Sequence, residues 1–161
     1  RAAFNKDGVL TAASSSKISD GAAALVVMSA DAAQAAGAKP LARVVAHSTH
    51  AQAPERFTTA PVAALKTVLD KAGWSVADVD LFEVNEAFAC VAMAPMKDLG
   101  IPHDKLNVNG GALALGHPIG ASGARLLVTL IHALQARGGK RGVASLCIGG
   151  GEAVAVALEL A

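Results

Sequence analysis

The sequence predicts an α/β domain: a mixed, mostly parallel five-stranded sheet with flanking helices. Three observations carry that expectation. Short apolar runs rich in Ala, Val and Leu alternate with stretches whose apolar residues recur every three or four positions, the order of strands and helices in a layered α/β fold. The last two runs, GVASLCI (142–148) and AVAVALEL (153–160), are separated only by Gly149, Gly150, Gly151 and Glu152, close enough to pair as an antiparallel hairpin. Of the 161 residues, 53% are hydrophobic and only 3% aromatic, so one domain can bury a core of small and branched aliphatic side chains.

Taken in order, residues 22–28 (AAALVVM) form the first expected strand, between Gly21 and Ser29, and Asp31 to Ala36 a brief helix closed by Gly37. Leu41, Val44 and Val45 open a second strand ending near His47, followed by a polar, proline-containing loop over 48–60. From Pro61, the residues Val62, Leu65, Val68 and Leu69 fall at helical spacing, with Gly73 as the stop. VDLFEV (79–84) is the third strand. It runs into Asn85 and a helix over 86–99, in which Pro95 removes a backbone donor and should kink or shorten the element. Ser122 can cap the last helix, whose Leu126, Leu127, Leu130, Ile131 and Leu134 make one apolar face before Gly138.

Fourteen basic against 13 acidic residues leave a net charge of +1, with no basic stripe interleaved with aromatics, which argues against a nucleic-acid partner. The uncharged run from Leu106 to Ala124 fails as a membrane span, because Asn107, Asn109, His117, Pro118 and repeated glycine would leave polar backbone in hydrocarbon. Two cysteines, Cys90 and Cys147, are too few for a disulfide framework and suit a reducing, cytoplasmic setting. His47 and His50 have metal-ligand spacing but no further ligand cluster nearby, so no metal is assigned. The chain opens on Arg1 with no signal-like segment, and we read it as a piece of a longer protein.

In parallel sheets, ligands gather at the carboxyl ends of the strands. Three chemistry-bearing side chains fall there: Asn85 after one strand, His117 in the loop GGALALGHPIGASG (110–123), and Cys147 at the end of another strand. Glycines flanking His117 permit close backbone approach, and Pro118 stiffens its exit, so the imidazole is presented on a preset turn. Asn85 reads equally well as a helix cap, and Glu86 as a first-turn acid serving the helix dipole. Cys147 precedes Ile148 and three glycines whose N–H groups can bind an anionic oxygen, whereas Cys90 reads as an inert thiol on the apolar side of a helix.

Asn85 in NEAFA, His117 in NVNGGALALGHPIGASGAR and Cys147 in CIGGGEA together resemble the three carboxyl-terminal signatures of the thiolases. Upstream, LTAASSSKISDGAAALVVMS resembles the segment leading into the family's second core domain, so the likeness covers essentially the whole chain. It implies that this chain supplies the second half of an α-β-α-β-α sandwich, with 1–20 as an entry segment and 21–161 as the carboxyl-terminal domain. The nucleophilic cysteine belongs to the amino-terminal half, which becomes a partner of this one. The implied activity is acyl transfer that forms or thiolytically cleaves 3-ketoacyl-CoA, with acyl-CoA and coenzyme A as substrates and no cofactor.

Carried over by motif, His117 activates the missing nucleophile and, with a water held by Asn85, binds the thioester oxygen. Cys147 is the acid/base, and Gly149 lends its N–H to a second oxyanion hole. Ser16 contacts the pantetheine arm and Phe88 walls the acyl pocket. Ser14, Ser15 and Lys17 depart from the family pattern beside Ser16, as does Pro95 in its helix. A homodimer or homotetramer is the assembly that the resemblance implies. The competing expectation is a thiolase-like protein that carries acyl-CoA without turning it over. A ketoacyl-synthase relative fits less well, because that chemistry has no use for a second cysteine after a strand.

Overall fold

The computed structural model describes residues 1–161. Its centre is a four-stranded sheet of β1 (Ala42–Ala51), β2 (Leu81–Val84), β3 (Arg141–Ile148) and β4 (Glu152–Leu160) in the order β1-β4-β3-β2. β2 lies parallel to β3, while β4 is antiparallel to both β3 and β1. Three strands therefore run one way. The single antiparallel strand is interior rather than added at an edge, because the tight Gly149–Gly151 turn folds β4 back onto β3 and β1 then pairs with its far side.

The remaining expected strand, 22–28, pairs with nothing in this chain, which is why the sheet has four strands rather than five. Its Val26 and Val27 are 86% and 80% exposed. A strand is made by its neighbours as much as by its residues, and none runs alongside this segment.

Helices cover both faces of the sheet. α2 (Ala60–Ala72) and α3 (Ala89–Leu99) press Leu65, Val68 and Val91 against Phe82, Val84, Val143 and the alanines of β4. On the opposite face, α5 (Ser122–Arg137) lays Leu126, Leu130 and Leu134 over Leu81, Ala144 and Leu158. Alternate residues of β2 thus enter opposite layers, as its pleat demands: Phe82 and Val84 face one core, and Leu81 the other. Small side chains on β4 (Ala153, Ala155, Ala157) let α2 sit close to the sheet. Two short helices complete the set, α1 (Ala30–Ala35) and α4 (Ala112–Leu115). No helix is long and apolar enough to cross a membrane.

Several boundaries differ from those the sequence suggests. β1 continues to Ala51, taking Ser48–Ala51 from the expected loop, because β4 is long enough to offer those residues backbone partners. The rest of that loop, Pro54–Thr59, is a 3₁₀ helix. α3 begins at Ala89, since the chain turns tightly after Asn85, whose carbonyl accepts the Ala87 N–H, and is extended at Phe88, and it passes uninterrupted through the buried Pro95. Ser29, rather than a residue of the expected helix, caps α1 by accepting from the Ala32 N–H.

β1 is tied to α2 by Ser48, 2% exposed, whose hydroxyl donates to the Ala64 carbonyl at 2.7 Å. Ser48→Ala is expected to lower the stability of the full-length protein by about 1 kcal/mol, the usual net worth of one such bond. The midpoint of urea denaturation measures it, and an unchanged midpoint would show the bond to be dispensable.

Candidate functional site

The site forms where β2 ends. Asn85 is fully buried and its N–H donates to the Ser145 carbonyl, continuing the β2–β3 ladder one step. Its side chain does not cap α3, which starts four residues later at Ala89 after Phe88. Instead Asn85 Nδ2 lies 3.2 Å from His117 Nε2. Residues 32 apart in sequence are thereby in direct contact. The other imidazole nitrogen, Nδ1, is 2.7 Å from Ser122 Oγ, and that hydroxyl is also 3.0 Å from the Pro118 carbonyl. Ser122 does not cap α5 either. Ala121 occupies the cap position, and Ser122 turns inward to the ring.

The glycine loop is held by a clamp that the sequence did not advertise. Asn107, in a left-handed conformation (φ 48°), pairs its amide with the backbone of Val84, accepting from the N–H at 2.8 Å and donating to the carbonyl at 2.9 Å. The same amide donates to Glu86 Oε1, while Glu86 Oε2 accepts the Leu113 N–H at 3.1 Å. Glu86 therefore joins the end of β2 to the first turn of α4 instead of standing in the first turn of α3. Gly111 passes directly over the Glu86 carboxyl, where any side chain would collide with it. Gly116, just before His117, has φ +92° and faces Ser19 Oγ, so both its conformation and its surroundings require glycine.

A third segment laces these loops together. The His117 N–H donates to the Lys17 carbonyl at 2.8 Å, and the Ser16 N–H to the Ala87 carbonyl at 3.0 Å. Ser15 bridges to Phe88. Ser16 thus sits beside the Asn85 turn, and Phe88 is half-buried in edge-on contact with Phe57 and Phe4 at 6.0 and 5.6 Å.

Cys147 lies on β3, two residues beyond the Ser145 that bonds Asn85, at the same end of the sheet. It is 9% exposed, and burial, opposed only by its own backbone and reinforced by Cys90 nearby, pushes its thiol up to about 11. Cys147 is therefore a protonated thiol at neutral pH, the opposite of the thiolate that a resting general base would need. Gly149 follows in an exposed turn, and its N–H bonds to no backbone carbonyl. Cys90 stands at the start of α3, half-buried against the same core, where burial also raises its thiol. His47 and His50 stay on β1, where His50 is bonded to Gln52 and flanks Ala153 of β4 opposite Cys147.

Charge beneath the site comes from one buried pair. Arg125 Nη1 donates to Glu83 Oε2 at 3.4 Å, while Glu83 Oε1 and Arg125 Nη2 have no partner. The site's imidazole is kept below its ordinary value, first by burial and then by the Arg125 charge, so His117 is neutral and able to accept a proton. Asn107, Ser122 and the Glu83–Arg125 pair are the site residues that sequence reading passed over. The one available signal was Ser122, four residues after Pro118 at a helix start, where hydroxyls bond back to carbonyls.

The model of the thiolase carboxyl-terminal domain matches residues 38–160, and that of the amino-terminal domain matches residues 1–31. The chain belongs to the thiolase family. It is 55% identical to an acetyl-CoA acetyltransferase of Chromobacterium violaceum over 99% of its own length and 41% of that protein's. It is 54% identical to the acetyl-CoA acetyltransferase of Escherichia coli, again over 99% of this chain and 40% of the relative. Among solved structures, the acetyl-CoA acetyltransferase of Bacillus anthracis superposes with a TM-score of 0.96 at 46% identity, covering 100% of this chain and 41% of that one. Human mitochondrial 3-ketoacyl-CoA thiolase in complex with CoA gives 0.89 at 40% identity, covering 99% and 41%. This thiolase chain thus spans about two fifths of the length of the relatives it matches. The unpaired segment 22–28 lies within the part matched by the amino-terminal domain model.

Proposed function

We propose that the protein containing this chain is an acyltransferase that forms or thiolytically cleaves 3-ketoacyl-CoA through a cysteine acyl-enzyme, and that acetoacetyl-CoA is a substrate. This chain contributes the imidazole, the amide and the acid/base thiol, and the rest of the protein contributes the nucleophile. The observation that carries the reading is the Asn85–His117 contact at 3.2 Å, with a neutral imidazole held from behind.

In the cleaving direction, His117 Nε2 takes the proton of the nucleophilic cysteine, whose sulfur bonds to the ketone carbon. The bond between that carbon and the α-carbon then breaks, and its electron pair leaves as the enolate of acetyl-CoA. Cys147, protonated at neutral pH, gives its proton to that carbon. The thiolate so formed takes the proton of incoming coenzyme A, whose sulfur displaces the enzyme sulfur from the acyl group, and the released enzyme sulfur recovers its proton from His117. Oxyanions that develop on the way are met by His117, by a water on Asn85 and by the free Gly149 N–H, fixed donors whose orientation is set before charge appears. Ser16 guides the pantetheine arm and Phe88 walls the acyl group. The scheme needs no cofactor, since the CoA thioesters are substrates. Binding of coenzyme A is supported by the CoA complex of the human mitochondrial relative. The working unit is a homodimer or homotetramer of the full-length protein.

The test is CoA-dependent cleavage of acetoacetyl-CoA by the full-length protein and its Asn85→Ala variant. The wild type should turn over, and the variant should lose about 10²–10³ in kcat, the effect of removing one oxyanion donor. A wild type that binds acyl-CoA without cleaving it would instead identify a carrier.

A further inference from the structure

We infer that Ser122 is a positioning residue that holds the His117 imidazole as its Nδ1–H tautomer, leaving Nε2 bare toward the reacting groups. The inference rests on the acyltransfer reading above for its consequence in catalysis. The tautomer itself follows from hydrogen-bond arithmetic in the site.

Ser122 is fully buried, and its Oγ has two polar neighbours, the Pro118 carbonyl at 3.0 Å and His117 Nδ1 at 2.7 Å. A carbonyl can only accept, and a hydroxyl has one proton to give. Pro118 also accepts the Ala121 and Ser122 N–H groups, but a hydroxyl 3.0 Å away that turned its proton elsewhere would set oxygen lone pairs face to face, so the Ser122 proton goes to Pro118 and the lone pairs of Oγ receive a hydrogen from Nδ1. With Nδ1 protonated and the ring neutral, Nε2 keeps its lone pair, which receives the Asn85 Nδ2–H until a reacting proton takes that place.

Asn85 supports the same assignment from the other side. Its Nδ2, a donor, is the atom that faces Nε2, and its Oδ1 is buried with no partner. Turning the amide over would bring Oδ1 to Nε2 but would bury an NH₂ group with no acceptor for either hydrogen, a worse arrangement than one orphan carbonyl oxygen. Donation thus runs in one direction only, from Asn85 through the ring and Ser122 to the Pro118 carbonyl. An Asn85 Nδ2–H meets a bare Nε2, and an Nδ1–H meets Oγ.

The consequence is a base pre-set to receive a proton at the nitrogen nearest Asn85. An imidazole free to choose spends much of its time as the Nε2–H form, which cannot accept there. Removing the hydroxyl should therefore lower kcat while leaving substrate affinity alone, because Ser122 is buried behind the ring and out of reach of substrate.

The experiment uses the full-length protein with ¹⁵N-labelled histidine. In the wild type, the His117 nitrogens should report a protonated Nδ1 and a bare Nε2. In Ser122→Ala, the signal should move toward the Nε2–H form, and kcat for acetoacetyl-CoA cleavage should fall about 10- to 100-fold with KM nearly unchanged, the range seen when a partner orienting a functional histidine is removed. Ser122→Thr, which keeps the hydroxyl, should retain both the tautomer and most of kcat. A wild-type ring found as Nε2–H, or an alanine variant with unchanged tautomer and kcat, would overturn the inference. If Ser122→Ala does not fold, the wild-type and threonine nitrogen signals decide it. If the full-length protein cleaves nothing yet shows the Nδ1–H ring and its shift on mutation, the acyltransfer reading fails and the tautomer assignment stands.

Discussion

Cys147→Ala in the full-length protein is expected to lower kcat for acetoacetyl-CoA cleavage by about 10²–10⁴, the contribution of a positioned acid/base group. The side chain is small, so the cavity left behind is minor and folding should survive. What is lost is the proton for the departing enolate. Burial holds the thiol at about 11, so at neutral pH the wild-type group already carries that proton and no other thiol stands ready to replace it. Cys90, on α3, packs into the same core. Cys90→Ala should leave kcat near the wild-type value, and comparing the two variants separates chemistry from packing. A Cys147→Ala enzyme with undiminished turnover would remove this residue from the mechanism.

Glu83→Ala should cost about 2–4 kcal/mol of stability, because it leaves a cavity under β2 and removes the acceptor of the mostly buried Arg125 guanidinium. Glu83 is 1% exposed and the pair is long, at 3.4 Å, with one unbonded atom on each side. Desolvation therefore outweighs the attraction. Burial pushes the Glu83 carboxyl up to about 7, with Arg125 opposing and Glu86 assisting. A carboxyl whose folded value lies above its ordinary 4.5 binds its proton more tightly in the folded state. Its contribution to stability is thus fully present below pH 4.5 and is lost as pH rises through about 7. Glu83→Gln, which keeps the shape and an acceptor for Arg125, should remove that falling limb while costing much less than the alanine change. Denaturation midpoints across this pH window test both statements. A Glu83→Ala protein as stable as wild type, or a Gln variant with the same pH dependence, would show that the pair does not carry the charge balance described.

The Glu83–Arg125 pair and the His117 contacts meet in one layer of the molecule. Glu83 and Asn85 are alternate residues of the β2 strand and its extension, and Arg125 and Ser122 lie within one turn of α5. The first turn of α5 thus both orients the His117 ring and sets the charge beneath it, through Ser122 and Arg125 respectively.

Much of this arrangement was legible before any coordinates. Apolar spacing marked α2 and α5, the Gly-rich gap at 149–151 marked the β3–β4 hairpin, and strand-end placement singled out Asn85, His117 and Cys147. These are local signals, each contained in a window of a dozen residues, and local periodicity is what a chain displays openly. Partnership is different. Residues 22–28 have strand composition but no neighbour, and composition alone cannot supply one. That β4 lies between β1 and β3 depends on contacts more than a hundred residues apart, such as Ala42 with Leu160.

The same division runs through the site. The residues named Asn85 and Ser122 were each compatible with capping a helix, because a short polar side chain serves a helix end and a buried partner by the same hydrogen-bonding groups. Only the folded geometry directs both of them to the imidazole, and only there does burial decide that Cys147 rests protonated and Glu83 titrates near neutrality. By itself the sequence determined which groups are available for chemistry. Tertiary structure decided their partners, their exposure and hence their protonation, because those depend on what the rest of the chain brings within a few ångströms.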